Sequence, residues 1–162
     1  MIFLGSDHAG FNLKEEIKKL LKELGMEYRD LGTYSPDPTD YPDYAEKVGS
    51  EVVRTGGKGI LICGTGTGMV IAANKIRGVR ATPVWDEYTA RKSREDNDAN
   101  VMTLPGRDMD PESAKKLVKI WLETPFSGLE RHRKRIEKIK LLEEKNYGGA
   151  GQHPPRKAEG KG

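Results

Sequence analysis

The chain has a single cysteine, Cys63, so no internal disulfide can staple it, and that usage fits a reducing compartment. No apolar run approaches the roughly 20 residues of a membrane span. The opening MIFLGSDHAG lacks a basic leader and turns polar within a few residues, which argues against a secretory signal. A cytoplasmic protein without membrane contact is the expectation. A broad excess of one charge is also missing. The formal net charge is +3, and much of it sits in RHRKRIEKIK (131–140) and the terminal PPRKAEGKG. The near-neutral remainder argues against a nucleic-acid surface and for small anions held at particular arginines. With 162 residues, one domain with a real core is expected.

What is present is an alternation of apolar runs with helical patterns. IFLGS (2–6), MEYRDLG (26–32), GILIC (59–63), VRATPVW (79–85) and NVMTLPG (100–106) read as strands. NLKEEIKKLLKELG places Leu13, Ile17, Leu20, Leu21 and Leu24 on one helical face, with Gly25 as a stop. YSPDPTDYPD is a proline-rich loop, and YAEKVGSEVVRTG a helix closed by Gly56. MVIAANKI and DEYTARKSRED read as further helices. DPESAKKLVKIWLET begins with an Asp-Pro cap signal and aligns Ala114, Leu117, Val118 and Trp121. A basic helix spans roughly 129–145, so the domain is drawn over 1–145, and the Gly/Pro/Lys-rich stretch 146–162 reads as a disordered tail. Five strands alternating with helices imply an α/β fold, a doubly wound parallel sheet covered on both faces. Ligands in such folds sit at the carboxyl ends of strands. Three such ends carry polar or reactive residues: SDH (6–8), CGTGTG (63–68) and PGRD (105–108).

The stretch ILICGTGTGMVIAANK (60–75) admits several readings. A dinucleotide fingerprint would need a third glycine where Met69 stands, although Asp86 does lie about 20 residues on. A P-loop is excluded because no Gly-Lys-Ser/Thr follows. A cysteine phosphatase needs an arginine six positions after the thiol, and that residue is again Met69. A buried cysteine acting as a small hydrophobe is the plain structural alternative. Position favours chemistry. A thiol ending a strand before a helix N-terminus is placed where N–H groups stabilise the thiolate. The amides from Gly64 to Gly68 can surround a developing oxyanion, with Thr65 and Thr67 adding hydroxyls. A base beside such a cradle suits proton abstraction next to a carbonyl, through an enediolate.

GSDHAGF after the first strand, DYPDYA in the second loop, GILICGTGTGM-IAANK and SRE-NDAN together resemble ribose-5-phosphate isomerase B. That family of sugar-phosphate isomerases also includes the galactose-6-phosphate isomerase subunits, and the similarity runs from about residue 1 to 140. The resemblance implies a Rossmann-like three-layer α/β/α sandwich and a homodimer, or a tetramer, with sites built from two subunits. It implies no metal and no organic cofactor, and interconversion of ribose 5-phosphate and ribulose 5-phosphate in pentose phosphate metabolism. By the same match Cys63 is the base moving a proton between C1 and C2. Gly64, Thr65, Gly66, Thr67 and Gly68 form the anion hole, with Thr65 near the reacting oxygens. Asp7 and His8 contact sugar hydroxyls, Asn97 binds the open chain, and Tyr41 lines the site. Arg107, Arg131 and Arg135 hold the phosphate, the last two one helical turn apart on one face. The residues alone also allow Asp7 as a turn cap and the basic helix as a solvated face, and His132 is expected to point elsewhere.

Two features depart from the family. Its usual R-x-H-N-D-A-N carries a ring-opening histidine, whereas here Asp96 stands in that place; an exposed aspartate, ionised at neutral pH, is a poor acid. The family's Gly-Gly before Arg-His is here GLERH, with one extra residue. A hexose 6-phosphate isomerase and a non-catalytic phosphosugar-binding protein are the alternatives these departures keep open.

Overall fold

A computed structural model describes residues 1–147 of the chain. The strands are β1 (Ile2–Ser6), β2 (Tyr28–Asp30), β3 (Lys58–Cys63), β4 (Ala81–Pro83) and β5 (Val101–Pro105). The helices are α1 (Phe11–Glu23), α2 (Tyr41–Thr55), α3 (Thr67–Ala73), α4 (Glu87–Glu95), α5 (Pro111–Glu123) and α6 (Glu130–Tyr147). All strands pair in parallel in the order β2-β1-β3-β5-β4, as the alternating pattern requires. The central strand β3 is apolar from Gly59 to Cys63 because both of its faces are covered, and Ile60, Leu61 and Ile62 are fully buried. Each such side chain contributes about 1.5–3 kcal/mol by leaving water.

Strand alternation sorts the core into two layers. Ile2, Leu4, Ile60, Ile62, Met102 and Leu104 pack with Leu13, Ile17 and Leu21 of α1, Ala90 of α4 and Leu117 and Trp121 of α5. Phe3, Leu61, Cys63 and Val101 pack on the other face with Ala45, Val48 and Val52 of α2 and Met69 and Ala73 of α3. The fold is therefore the expected three-layer α/β/α sandwich. The helix stripes on α1 and α5 are as read from the sequence, except that Leu24 caps α1 and is 37% exposed. Gly56 ends α2 in the left-handed region (φ 71°), and Asp110 caps α5 by accepting from the Ser113 amide at 2.9 Å.

Boundaries differ where local pattern is weakest. β2 and β4 are three residues each, shorter than the runs that suggested them, because they are the two edge strands. α2 starts at Tyr41, three residues into the expected loop, with Pro42 in its first turn where its missing N–H costs nothing. α3 covers Thr67–Ala73 instead of 69–76, beginning at the glycine loop itself. α6 continues to Tyr147, and the remaining part of the expected tail, 148–162, lies outside the described residues. No described helix is long and apolar enough to cross a membrane.

α6 buries only His132. Farther along, both Glu143 carboxylate oxygens accept from the Gly78 amide, at 3.0 and 3.1 Å, while Ile139, Leu141 and Leu142 stay exposed.

Candidate active site

The carboxyl ends of β1, β3 and β5 meet around Cys63, which ends β3 and is 4% exposed. The Gly106 amide donates to the Cys63 carbonyl at 2.8 Å, and the Arg107 amide to the Gly64 carbonyl at 3.1 Å. These bonds tie the loop after β5 to the loop after β3 and lay the Arg107 side chain against Gly64, whose missing Cβ leaves 3.4 Å to the Arg107 guanidinium. Gly66 precedes α3 with φ 76°, a conformation that favours glycine. A Cβ there would also lie 3.2 Å from the Leu104 carbonyl carbon. Thr65 accepts from the Thr67 amide through Oγ1 at 3.3 Å, and both threonines are exposed at the mouth. The first amides of α3 lack intrahelical acceptors, so beyond the one taken by Thr65 the loop keeps amide donors together with close backbone approach.

Tyr41 closes the cradle from α2. Its ring lies so near Gly68 that a Cβ on Gly68 would come within 2.8 Å of it. Asp7 is buried and one of its oxygens accepts from the Gly10 amide at 3.0 Å, so the cap reading holds for Oδ1. The His8 ring is pinned through Nδ1 to Thr39, whose amide lies 3.2 Å and carbonyl 3.3 Å away. Cys63, the glycine loop, Asp7, His8, Tyr41 and Arg107 therefore share one end of the sheet.

The remaining expected residues do not join them within one chain. α4 runs from the end of β4 to the start of β5, so Asp96 and Asn97 lie at the opposite, amino end of the strands. At the usual rise of a parallel strand, the five residues of β5 alone hold the two ends about 13 Å apart. Arg131 and Arg135 begin α6 beside Asp96, because the Ser127 amide donates to the Glu95 carbonyl at 3.1 Å. There His132 points away from the exposed arginine face, as expected, and into the protein. The ring is buried, its Nδ1 lies 2.7 Å from Ser127 Oγ, and its Nε2 accepts from Arg131 Nε at 3.2 Å. A lone histidine on a charged helix gave no sign of this, since one partner comes from a loop five residues earlier and the other is its own helical neighbour Arg131. The extra residue of GLERH falls at the turn into α6, where Gly128 has φ 65° and Arg131 remains exposed.

Lys14 is a second residue the sequence hid. It is fully buried, with Nζ 2.5 Å from Asp30 Oδ1 and 2.7 Å from the Thr33 carbonyl, and Lys18 meets the other Asp30 oxygen at 2.9 Å. Burial pushes the Asp30 carboxyl up, but its bonds to Lys14 and Lys18 outweigh that and hold it below the usual carboxylate range. This ion cluster fixes the chain just after β2, from which the loop holding His8 departs.

Asp86, the acidic residue a dinucleotide site would want on a ribose, instead caps α4 in a reciprocal pair with Thr89, accepting the Thr89 amide at 2.7 Å. No cluster among the described residues could hold a metal ion.

Comparisons with known proteins show the family and the fold. The model of the family described as Ribose/Galactose Isomerase matches residues 2–139. Ribose-5-phosphate isomerase B of Escherichia coli (strain K12) is 46% identical over 147 residues, 89% of this chain and 97% of that protein. D-erythrulose-4-phosphate isomerase of Pectobacterium atrosepticum is 40% identical over 133 residues, 78% of this chain and 85% of that one. The crystal structure of a ribose 5-phosphate isomerase from Thermotoga maritima superposes with a TM-score of 0.84 at 48% identity, covering 86% of this chain and 97% of that one.

Proposed function

The chain belongs to the ribose/galactose isomerase family and is an isomerase, and from that premise we propose that it interconverts ribose 5-phosphate and ribulose 5-phosphate. The observation that carries the reading is buried Cys63 at the end of β3, directly before a glycine loop against which Arg107 lies, with Asp7 following the neighbouring strand end. The Cys63 thiolate takes the proton from C2 of the open-chain aldose, and the electron pair moves to form the C1–C2 double bond of an enediolate. The thiol then returns the proton to C1, while the hydroxyl proton moves from the C2 oxygen to the C1 oxygen. The amides from Gly64 to Gly68 and the Thr65 hydroxyl stabilise the charge as it develops, which lowers the barrier without tightening the ground state. Arg107 takes one side of the phosphate. No metal or organic cofactor enters the reaction.

The active unit is a homodimer. Asp96, Asn97, Arg131 and Arg135 lie at the amino end of the sheet, too far to serve the Cys63 of their own chain, so a second copy supplies them. Mixing two variants, each nearly inactive at substrate concentrations well below KM, tests this. Dimers reassembled from Cys63→Ala and Arg135→Ala chains contain hybrids with one intact site, and about a quarter of wild-type activity returns if the sites are shared. No recovery means that each chain completes its own site.

Asp96 favours a second reading for the substrate. A four-carbon aldose with its phosphate on C4 cannot close a furanose, because the oxygen that would close the ring is esterified. Such a substrate needs no acid on a ring oxygen, the task for which Asp96 is poorly suited. Turnover of tetrose 4-phosphates well above that of ribose 5-phosphate would establish it.

A further inference from the structure

Asp98 is the only described residue other than glycine with positive φ, 45°. Left-handed conformations persist at non-glycine residues only where the surroundings hold them, and they gather at functional sites. Here the Asp98 amide donates to the Arg94 carbonyl at 3.1 Å and the Ala99 amide to the Ser93 carbonyl at 2.9 Å, a common left-handed helix end, and two arginines brace it further. Arg80, just before β4, donates through Nε to the carbonyls of Asn97 and Asp98, both at 3.1 Å. Its Nη2 reaches the Asp98 carbonyl at 2.8 Å and Asp98 Oδ2 at 3.2 Å. Arg94, from within α4, donates through Nη1 to Asp98 Oδ1 at 2.8 Å and to the Ala99 carbonyl at 2.6 Å. Its Nε bonds the Thr124 carbonyl at 3.3 Å and its guanidinium lies over the Trp121 ring. Arg94 is buried, and the two guanidinium groups grip opposite oxygens of one carboxylate. The backbone from Asn97 to Ala99 is thus fixed on both sides, while Asn97 itself is exposed and its amide makes no hydrogen bond among the described residues.

Those backbone bonds, with the Asp96 amide on the Lys92 carbonyl, already suffice to end α4, so the two guanidinium groups are more bracing than the helix needs to stop. We propose that Arg80 and Arg94 are positioning residues that clamp Asp98 in its left-handed turn, so that Asn97 offers a preorganised amide to the substrate. The inference rests on the reading of Asn97 as a substrate ligand. Neither arginine touches substrate, and their effect passes through Asn97. Preorganisation of this kind lowers what binding must spend on ordering, so its loss shows mainly in KM.

A double-mutant cycle on the full-length enzyme tests it. Arg80→Gln keeps the aliphatic stem and removes the guanidinium. In the wild-type background it should lower kcat/KM about tenfold, mostly through KM, and in an Asn97→Ala background by less than about twofold. Asp98→Asn, which tolerates the left-handed region and keeps an acceptor, should retain most of the activity. The rate of Cys63 alkylation by iodoacetamide without substrate reports the integrity of the far end of the sheet and should not change. Equal losses from Arg80→Gln in both backgrounds overturn the clamp and leave Arg80 as a fold-stabilising residue. Wild-type activity in Asn97→Ala removes the ligand on which the proposal depends and overturns it by that route, while leaving the shared-site test with Cys63 and Arg135 unaffected.

Discussion

Asp96 Oδ1 lies 3.7 Å from Nε2 of the buried His132. The carboxylate also faces Lys92 Nζ at 3.9 Å, so the position to which the sequence resemblance assigns ring opening is held by a group with two basic neighbours. Opening a furanose needs a proton on the ring oxygen and the loss of one from the anomeric hydroxyl. Ribulose 5-phosphate cannot form that ring, because its 5-oxygen is esterified. Turnover from the ketose should therefore exceed turnover from cyclic aldose phosphates. Asp96→His should raise the rate with ribose 5-phosphate and add a pH dependence near the imidazole value of about 6.5. A coupled assay across pH reads both. If Asp96→His gains nothing while Asp96→Asn loses activity, the aspartate is itself the adapted catalyst.

The three arginines should behave as binding residues. Arg107→Ala, Arg131→Ala and Arg135→Ala should each weaken substrate binding by about 1.5–3 kcal/mol, the loss of a charge-assisted contact, with a smaller effect on kcat. Inhibition by inorganic phosphate should weaken in parallel. Arg131 is the most exacting case, because its Nε is engaged with His132 and the extra residue lies just before it. Normal binding by Arg131→Ala, with a loss at Arg133→Ala instead, would show that the register has moved.

The Lys14–Asp30 pair gives a prediction about stability. Lys14→Met leaves Asp30 with Lys18 and the Gly32 amide but takes away the donor to the Thr33 carbonyl, so it should destabilise the fold by about 1–3 kcal/mol in thermal or urea unfolding. The Asp30 carboxyl titrates lower in the folded chain than in the unfolded one. Its contribution to stability is therefore present above the unfolded value of about 3.9 and disappears as pH falls through the folded value. Asp30→Asn should flatten the fall of Tm with pH in the acid range below that unfolded value. An unchanged slope would mean that other carboxylates govern acid unfolding.

The cradle depends on space as well as on charge. Gly68→Ala should push the Tyr41 ring from its seat and lower kcat/KM, and Tyr41→Ala should relieve part of that loss, since the clash needs both partners. Additive losses from the two changes would separate Tyr41 from the loop.

How much of this could be read from residues alone depends on the range of the interaction. The stripe Ala114, Leu117, Val118 and Trp121 was legible because helical period is a local property, and β3 because a strand buried on both faces is apolar throughout. The edge strands β2 and β4 were overdrawn because one neighbour stabilises less strand than two. Cys63, Gly66 and Arg107 were legible as strand-end residues, and the sheet does gather them. Lys14 was invisible because a lysine on a helix reads as solvent-facing until its partner, sixteen residues later, is placed against it. His132, Arg80 and Arg94 were missed for the same reason, each satisfied by groups brought together only by the fold. The division of the expected site between the two ends of the sheet was implicit in the strand–helix alternation for Asp96 and Asn97, which end the helix leading into β5, whereas the place of Arg131 and Arg135 depends on how α6 docks, which periodicity does not specify.

The claim at the centre of this account is that the Cys63 thiolate carries the proton. Incubation of Cys63→Ala with ribose 5-phosphate in deuterated water, followed by NMR of the carbon-bound positions, tests it most directly. The variant should bind the sugar phosphate with nearly wild-type affinity and lose both isomerisation and solvent exchange at C1 and C2 by several orders of magnitude, as expected for a group that acts only in the transition state. Isomerisation at the wild-type rate in Cys63→Ala would contradict the account and return Cys63 to the role of a small buried hydrophobe.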